Sequence, residues 1–374
     1  MSDRPATFVD KQETLETALG ELGRERVLGV DTEANSFFVY RERTCLVQVS
    51  SAGADYVFDP ISLDISPLMA LLANPDIEKI FHAAEFDVVS LRRDYGVAIE
   101  NLYDTSIAAR ATGHKKIGLG SMVEELLDIK LVKDEQRSDW GRRPLTKEQV
   151  AYAFADTRHL LALAQALKLE VAAKGLTEEV AVDCERVRRR EARPRAFDPE
   201  SFERHPSARK LDPLSRRLLR ELYLAREERA KALDKPPFRI ASDQALGEVA
   251  ARKAATKAEL FGIPGLTPGV LARHGAALLE AVQRGLEAGP LPYQKKPFTP
   301  PDPLEEERYE RLRAWRRQVA EARGVEVEPV AGNAALRALA KANPTSLEAL
   351  AAVEELDGYR RGKYGEALLA LLAT

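Results

Sequence analysis

Four carboxylates and one phenol carry the chemistry visible in this chain. Asp31 and Glu33 lie in VLGVDTEAN, Asp87 in FHAAEFD and Asp156 in YAFADTRH, with Tyr152 four positions before Asp156. Two acids flanking one threonine at the end of an apolar run are poorly placed for core packing. They are well placed to hold hard divalent cations, which prefer oxygen donors. On a strand that continues through them, Asp31 and Glu33 point to one side, because side-chain direction repeats every two residues. Tyr152 and Asp156 share a face if they lie on a helix. Asp87 falls near a helix start, where an acid is also at home without a metal. Together the four predict a two-metal centre that hydrolyses phosphodiesters. A phenol with an ordinary pKa of about 10 is a poor base. Tyr152 is therefore expected to orient the attacking water or to help take its proton.

Positioning these groups takes an α/β domain. RVLGVD, CLVQVS and DYVFD read as strands, LDISPLMALLAN as a helix, EKIFHA as a strand and DVVSLRRDYG as a helix. LYDTSIAARATG and LGSMVEELLDI continue with helical periods. TKEQVAYAFADTRHLLALAQALKLEVAAKG opens on Thr146, a good N-cap, and runs on in helix formers. A mixed sheet with a helical second half is expected over residues 1 to about 200.

The remainder reads as two helical units, 209–288 and 304–374. Each has a long amphipathic helix, an irregular link, a short helix, a Pro-containing turn and two more helices. GPLPYQKKPFTPPDP between them reads as a stiff linker.

Several residues near the carboxylates suit a nucleic-acid strand. Phe86 could stack on a terminal base, and His82 could contact substrate or support Asp87, although either ring could equally pack inside. In KLVKDEQRSDWGRRPLT, cations including Lys130, Lys133, Arg137, Arg142 and Arg143 could meet phosphates and Trp140 could stack on a base, the alternative being an exposed loop pinned by a buried Trp140. Asp134 and Asp139 read as local loop charges, and Asp104 as a residue that shapes a helix start and the site. Six arginines between Arg186 and Arg195 form either a solvated helix end or a basic ridge.

With 374 residues the chain can build two or three cores. A net charge of -3 says little about partners, since binding depends on where charge sits. Two cysteines make no metal or disulfide framework and fit a reducing cytoplasm. No stretch reaches the roughly 20 apolar residues of a membrane span, so no membrane partner is expected.

On these motifs the chain resembles the ribonuclease D family, within the tyrosine-bearing branch of the DEDD exonucleases. VDTEAN resembles the first motif, FHAAEFDVVSL the second and YAFADTRHL the third. AWRRQVAEARG and LRALAKANPTSLEAL resemble the helicase-and-RNase-D C-terminal (HRDC) domain. The first helical unit is similar but lacks the tryptophan and carries Pro236–Pro237 in its link. The resemblance implies a ribonuclease H-like nuclease domain with two HRDC-like domains. It implies a monomeric 3′–5′ exoribonuclease that uses magnesium or manganese, releases nucleoside 5′-monophosphates and trims RNA 3′ ends such as transfer-RNA precursors. It also implies accessory binding by the helical units, with Arg360, Arg361 and Lys363 in GYRRGKYG expected at phosphates. A DNA exonuclease acting on single strands in repair, and a non-catalytic RNA-binding scaffold, are the competing readings.

Overall fold

The computed structural model describes residues 4–131, 135–192, 196–293, 300 and 302–373. Six strands form one sheet: β1 (Ala6–Val9), β2 (Val27–Ala34), β3 (Thr44–Ser50), β4 (Asp55–Phe58), β5 (Glu78–Phe81) and β6 (Leu102–Asp104). Their order is β1-β4-β3-β2-β5-β6. β1 runs parallel to β4, β3 antiparallel to β4, and β5 parallel to both β2 and β6. The expected mixed α/β sheet is therefore present.

Eight helices accompany the sheet among the described residues: α1 (Gln12–Leu22), α2 (Ser66–Leu72), α3 (Glu85–Tyr95), α4 (Thr105–Thr112), α5 (Leu119–Leu127), α6 (Lys147–Arg158), α7 (Leu160–Ala173) and α8 (Thr177–Arg188). Period-two alternation sorts β4 between two layers. Tyr56 and Phe58 enter the main core with Leu15 and Leu22 of α1, while Val57 packs with Trp140 and Ala153 of α6 on the other face.

Two local expectations change. LYDTSIAARATG is not helical throughout: Leu102–Asp104 is strand β6, paired with Lys79–Phe81. Three residues are too few to show a period, so tertiary pairing decides them. The long late helix also divides, with α6 ending and α7 beginning around His159.

The chain divides into two compact units. One comprises residues 1–33, 44–192 and 299–374, the other 34–43 and 193–298. The second unit holds α9 (Pro213–Ala232), α10 (Pro237–Ile240), α11 (Asp243–Arg252), α12 (Lys257–Leu260) and α13 (Pro268–Ala288). Phe202, which lies before the first helical unit as bounded from the sequence, packs in the same core as Leu218, Leu222, Val249 and Leu278. The segment 34–43 is gripped there too. The Tyr40 phenol donates to Glu227, and the Tyr40 N–H donates to Asp234 at 3.1 Å.

The second helical module belongs to the unit that holds the sheet. It comprises α14 (Pro303–Arg323), α15 (Asn333–Ala342), α16 (Leu347–Ala351) and α17 (Gly358–Leu372). Arg360 on α17 forms a fork with Asp183 on α8, at 3.0 and 2.9 Å. Arg323 reaches Glu179 at 2.7 Å and Lys363 reaches the same carboxylate at 3.2 Å. At Gly113, whose φ is +92°, an added Cβ would lie 2.7 Å from the Gly324 carbonyl oxygen, so only glycine allows this approach.

Candidate metal centre

The end of β2 carries Asp31 and Glu33 on one side of the sheet, as the alternation requires. That side faces the α6–α7 corner. A Cβ built at Gly29 would meet the Thr157 carbonyl and Leu161 at 3.1 Å and Leu160 at 3.2 Å, so the missing side chain lets the corner settle on β2. α6 begins with a capping box in which Thr146 accepts from the Gln149 N–H and the Gln149 side chain accepts from the Thr146 N–H. The helix so fixed presents Tyr152 and Asp156 on one face, one turn apart, where each shifts the pKa of the other.

Asp31, Glu33 and Asp156 each offer an oxygen within 4.8 Å of the others. Asp87 lies buried at the start of α3 and accepts from the Thr32 hydroxyl at 2.5 Å. Its charge is felt at both Asp31 and Glu33. The turn before it is organised by Asp104, which accepts from the N–H groups of Ala83 and Ala84 at 2.9 Å each and from Ser106 at 2.8 Å. Ala83 sits there at a φ of +63°, a strained value for a residue with a Cβ. Asp104 therefore shapes the helix starts and the site, as expected, and Thr32 is the residue whose role the sequence did not announce.

The electrostatics are those of crowded, buried like charges. Burial, then the charges of Asp87, Asp156 and Glu33, raise the Asp31 pKa well above the carboxylate range. Burial and the neighbouring Asp156 and Asp87 push Glu33 up to about 9. Asp87 rises to about 6 and Asp156 to about 7, both chiefly through burial, with the neighbouring Thr32 and Tyr152 hydroxyls pulling the other way. Burial and the carboxylates raise the Tyr152 phenol pKa, so it keeps its proton at neutral pH. A set of hard oxygen donors with too much negative charge and no cationic side chain among its influences fits divalent cations such as magnesium or manganese.

The expected substrate contacts divide. Phe86 is 45 % exposed and free to stack. His82 is half-buried, held by the Thr105 hydroxyl at 2.8 Å, and burial lowers its pKa. Arg142 is exposed, and Arg361 is partly exposed while donating to the Ala351 carbonyl. Trp140 is a correction: it is 1 % exposed and its ring lies 5.9 Å from that of Tyr152, so it packs behind the phenol and meets no base. Arg143 is also corrected, because it forks onto Asp59 at 2.6 Å and donates to the Trp140 and Cys45 carbonyls. Arg360, 3 % exposed, is spent on Asp183 and is not a phosphate contact, whereas Lys363 is exposed and meets Glu179 at 3.2 Å. In the arginine run, Arg186, Arg188, Arg189 and Arg190 all meet carboxylates, which favours the helix-end reading. Lys133, Asp134, Arg193 and Arg195 lie outside the described residues.

Comparison with known proteins matches residues 6–172 to the 3′-5′ exonuclease family, and residues 215–282 and 305–372 each to the HRDC domain. Ribonuclease D of Pseudomonas paraeruginosa is 32% identical over 363 residues, covering 93% of this chain and 92% of that protein. The crystal structure of Escherichia coli RNase D, an exoribonuclease involved in structured RNA processing, superposes with a TM-score of 0.69 at 25% identity and covers 98% of each chain. The catalytic core of RRP6 from Trypanosoma brucei gives a TM-score of 0.69 at 27% identity, covering 77% of this chain and 82% of that one.

Proposed function

Because the chain belongs to the ribonuclease D family and is a 3′–5′ exoribonuclease, we propose that it trims RNA 3′ ends at the centre formed by Asp31, Glu33, Asp87 and Asp156. Transfer-RNA precursors are the proposed substrates and nucleoside 5′-monophosphates the products. Asp31, Glu33 and Asp156 are the residues to share a divalent cation, with Asp87 completing a second site. Bound magnesium or manganese would supply charge neutralisation at the phosphate and a water acidic enough to attack at neutral pH.

The chain's own groups do the rest. Tyr152 is the group to orient the attacking water through its hydroxyl, a phenol being a poor base at neutral pH. It lies one helical turn before Asp156, beside a proposed metal ligand. Thr32 holds Asp87, and Asp104 holds the turn beneath it. Phe86 offers a ring on which the terminal base can stack.

The observation that carries this reading is the convergence of three carboxylate oxygens within 4.8 Å of one another. Matched RNA and DNA labelled at either end, incubated with magnesium, manganese or chelator, provide the test. Cation-dependent loss from the RNA 3′ end, absent in Asp31→Asn, is the expected result. Cleavage confined to DNA, or full activity in that variant, would reject it.

A further inference from the structure

The segment 34–43 begins with Ala34, the residue after Glu33 and the last of β2, and it belongs to the unit of the first helical module. That module holds the segment's tip. The Tyr40 phenol donates to Glu227 on α9, and the Tyr40 N–H donates at 3.1 Å to Asp234 in the turn that ends α9. Lys235 and Arg239 reach the Phe38 and Phe37 carbonyls at 3.4 Å each, and the Arg239 guanidinium lies 5.7 Å from the Phe38 ring. The bond to Glu227 pushes the Tyr40 phenol pKa up to about 12, so the hydroxyl stays a donor.

The neck of the loop is closed as well. Asn35 is buried, its side-chain oxygen accepts from the Arg43 N–H at 3.1 Å, and its carbonyl accepts from the Phe38 and Val39 N–H groups. Tip and neck are thus joined by a continuous set of hydrogen bonds, and the neck follows Glu33 by two residues. A displacement of the tip has a physical route to a metal ligand.

Two features of the module fit this hold. Pro236 and Pro237, which set its link apart in the sequence, stand between Lys235 and Arg239, and proline fixes φ, so they stiffen the stretch that reaches the loop. The turn after the long helix is the second feature. Asp234 has a φ of +46°, and Gly324, its counterpart ninety positions on, has a φ of +66°. Glycine adopts such a turn more easily than any residue with a Cβ. The first module carries the less comfortable residue, and its carboxylate is the one that accepts from Tyr40.

We propose that the first helical module is a clamp on the metal centre: by gripping the loop that continues β2 it positions Glu33 for the cation, with Tyr40 as the residue through which it acts. The proposal rests on the metal centre proposed above. Tyr40 is a positioning residue in this scheme, and its effect on chemistry does not depend on how much RNA the module could contact.

The test compares the full chain with Tyr40→Phe, which removes only the phenol O–H, and with Asp234→Gly, which removes the carboxylate and keeps a residue suited to positive φ. Manganese affinity of the metal-free protein, melting temperature, and kcat and KM on an RNA pentanucleotide and on a long 3′-labelled RNA are measured. Each variant should lose about 3- to 30-fold in manganese affinity and in kcat at limiting manganese, equally on the two RNAs, while KM stays within about threefold. Adding Glu227→Gln to Tyr40→Phe should cost no more than the larger single effect, because both remove one bond. A rise in KM on the long RNA alone, with kcat and manganese affinity intact, would overturn the clamp and make the loop a surface that grips RNA. A lower melting temperature with unchanged manganese affinity and kcat would overturn it too, leaving a packing contact. If the parent binds no manganese and Asp31→Asn cleaves normally, the metal centre fails and the clamp with it. A parent that binds manganese beside variants that bind it equally well sinks the clamp alone.

Discussion

Two clusters of buried charge lie in the same unit of this molecule, and they are built on opposite plans. At the carboxylate centre, acids meet acids, and burial with mutual repulsion lifts their pKa values. On α8, Glu179 and Asp183 are each met by guanidinium or ammonium groups of the second helical module. Burial works against the charged form of Arg360, yet its bonds to Asp183 and Asp357 keep its pKa above the usual value. The paired cluster is complete in itself and serves architecture. The like-charged cluster is the one proposed above to take up cations and to serve chemistry. Buried charge alone does not mark a functional site; missing counter-charge does.

Substitution should act in opposite senses at the two clusters. Asp31→Asn should lower kcat by about a thousandfold or more, since cation stabilisation of the transition state is worth several kcal/mol. The same change should raise the melting temperature of the metal-free protein by relieving repulsion. A fall in both would break the contrast. Asp183→Ala should do the reverse: it strands Arg360 without its main partner and should cost about 3–5 kcal/mol, read by denaturant unfolding, while kcat measured well below the melting point changes little.

The pH dependence separates the clusters further. The folded-state pKa values of Glu33, Asp156 and Asp87 lie above their unfolded values, so the folded metal-free chain binds more protons. Its stability from these groups is full below about pH 4 and is lost as the pH rises through about 6 to 9. Scanning calorimetry in chelator should show the melting temperature falling over that window, and the stabilisation added by manganese growing. Asp31→Asn should flatten the slope, whereas Asp183→Ala should leave it alone. The smallest effect belongs to an exposed pair such as Arg313 with Glu310, at 2.7 Å on α14. Arg313→Ala should shift neither melting temperature nor activity measurably, and a clear shift would mean that pairing matters irrespective of burial.

The two helical modules make the same point at finer scale. Their matches begin at 215 and 305, so counterparts lie ninety positions apart. Arg226 donates to the Ala241 carbonyl and Arg316 to that of Ala331, and the helix caps recur at Asp212 and Asp302. Two of the three docking cations do not recur: Val270 stands in the position of Arg360 and Leu233 in that of Arg323, while Arg273 stands in that of Lys363. Trp315, absent from the first module, packs edge-on to Tyr364, whose hydroxyl accepts from Arg323. Its presence in one module and not the other thus accompanies docking.

What the sequence disclosed follows from how local each signal is. The carboxylates were legible because their types, spacing and order point to one chemistry, and β2 to β5 because apolar, β-branched runs are local; β1 and β6, four and three residues long, were not read as strands. Gly29 and Thr32 were silent, because a glycine or threonine in a strand says nothing of what it faces. The ion pairs of Arg360 and Lys363 went unread for a related reason. Their partners stand 177 and 184 positions earlier, and no window along the chain brings such residues together. Trp140 beside two arginines looks the same whether its ring is outside or, as here, behind a tyrosine.

The ion pairs on α8 bear on how a shortened form of this protein would behave. The same helix carries Cys184, whose sulfur accepts from the Asp104 N–H at 3.3 Å, and Asp104 in turn braces the turn that leads to Asp87. Deleting the last seventy or so residues would strip two carboxylates of their partners and loosen a helix one contact away from the catalytic turn. Slow turnover in such a deletion would report damage to the enzyme's frame before it reported anything about grip on RNA. Point changes on the module's outer face are the cleaner way to ask what that module binds.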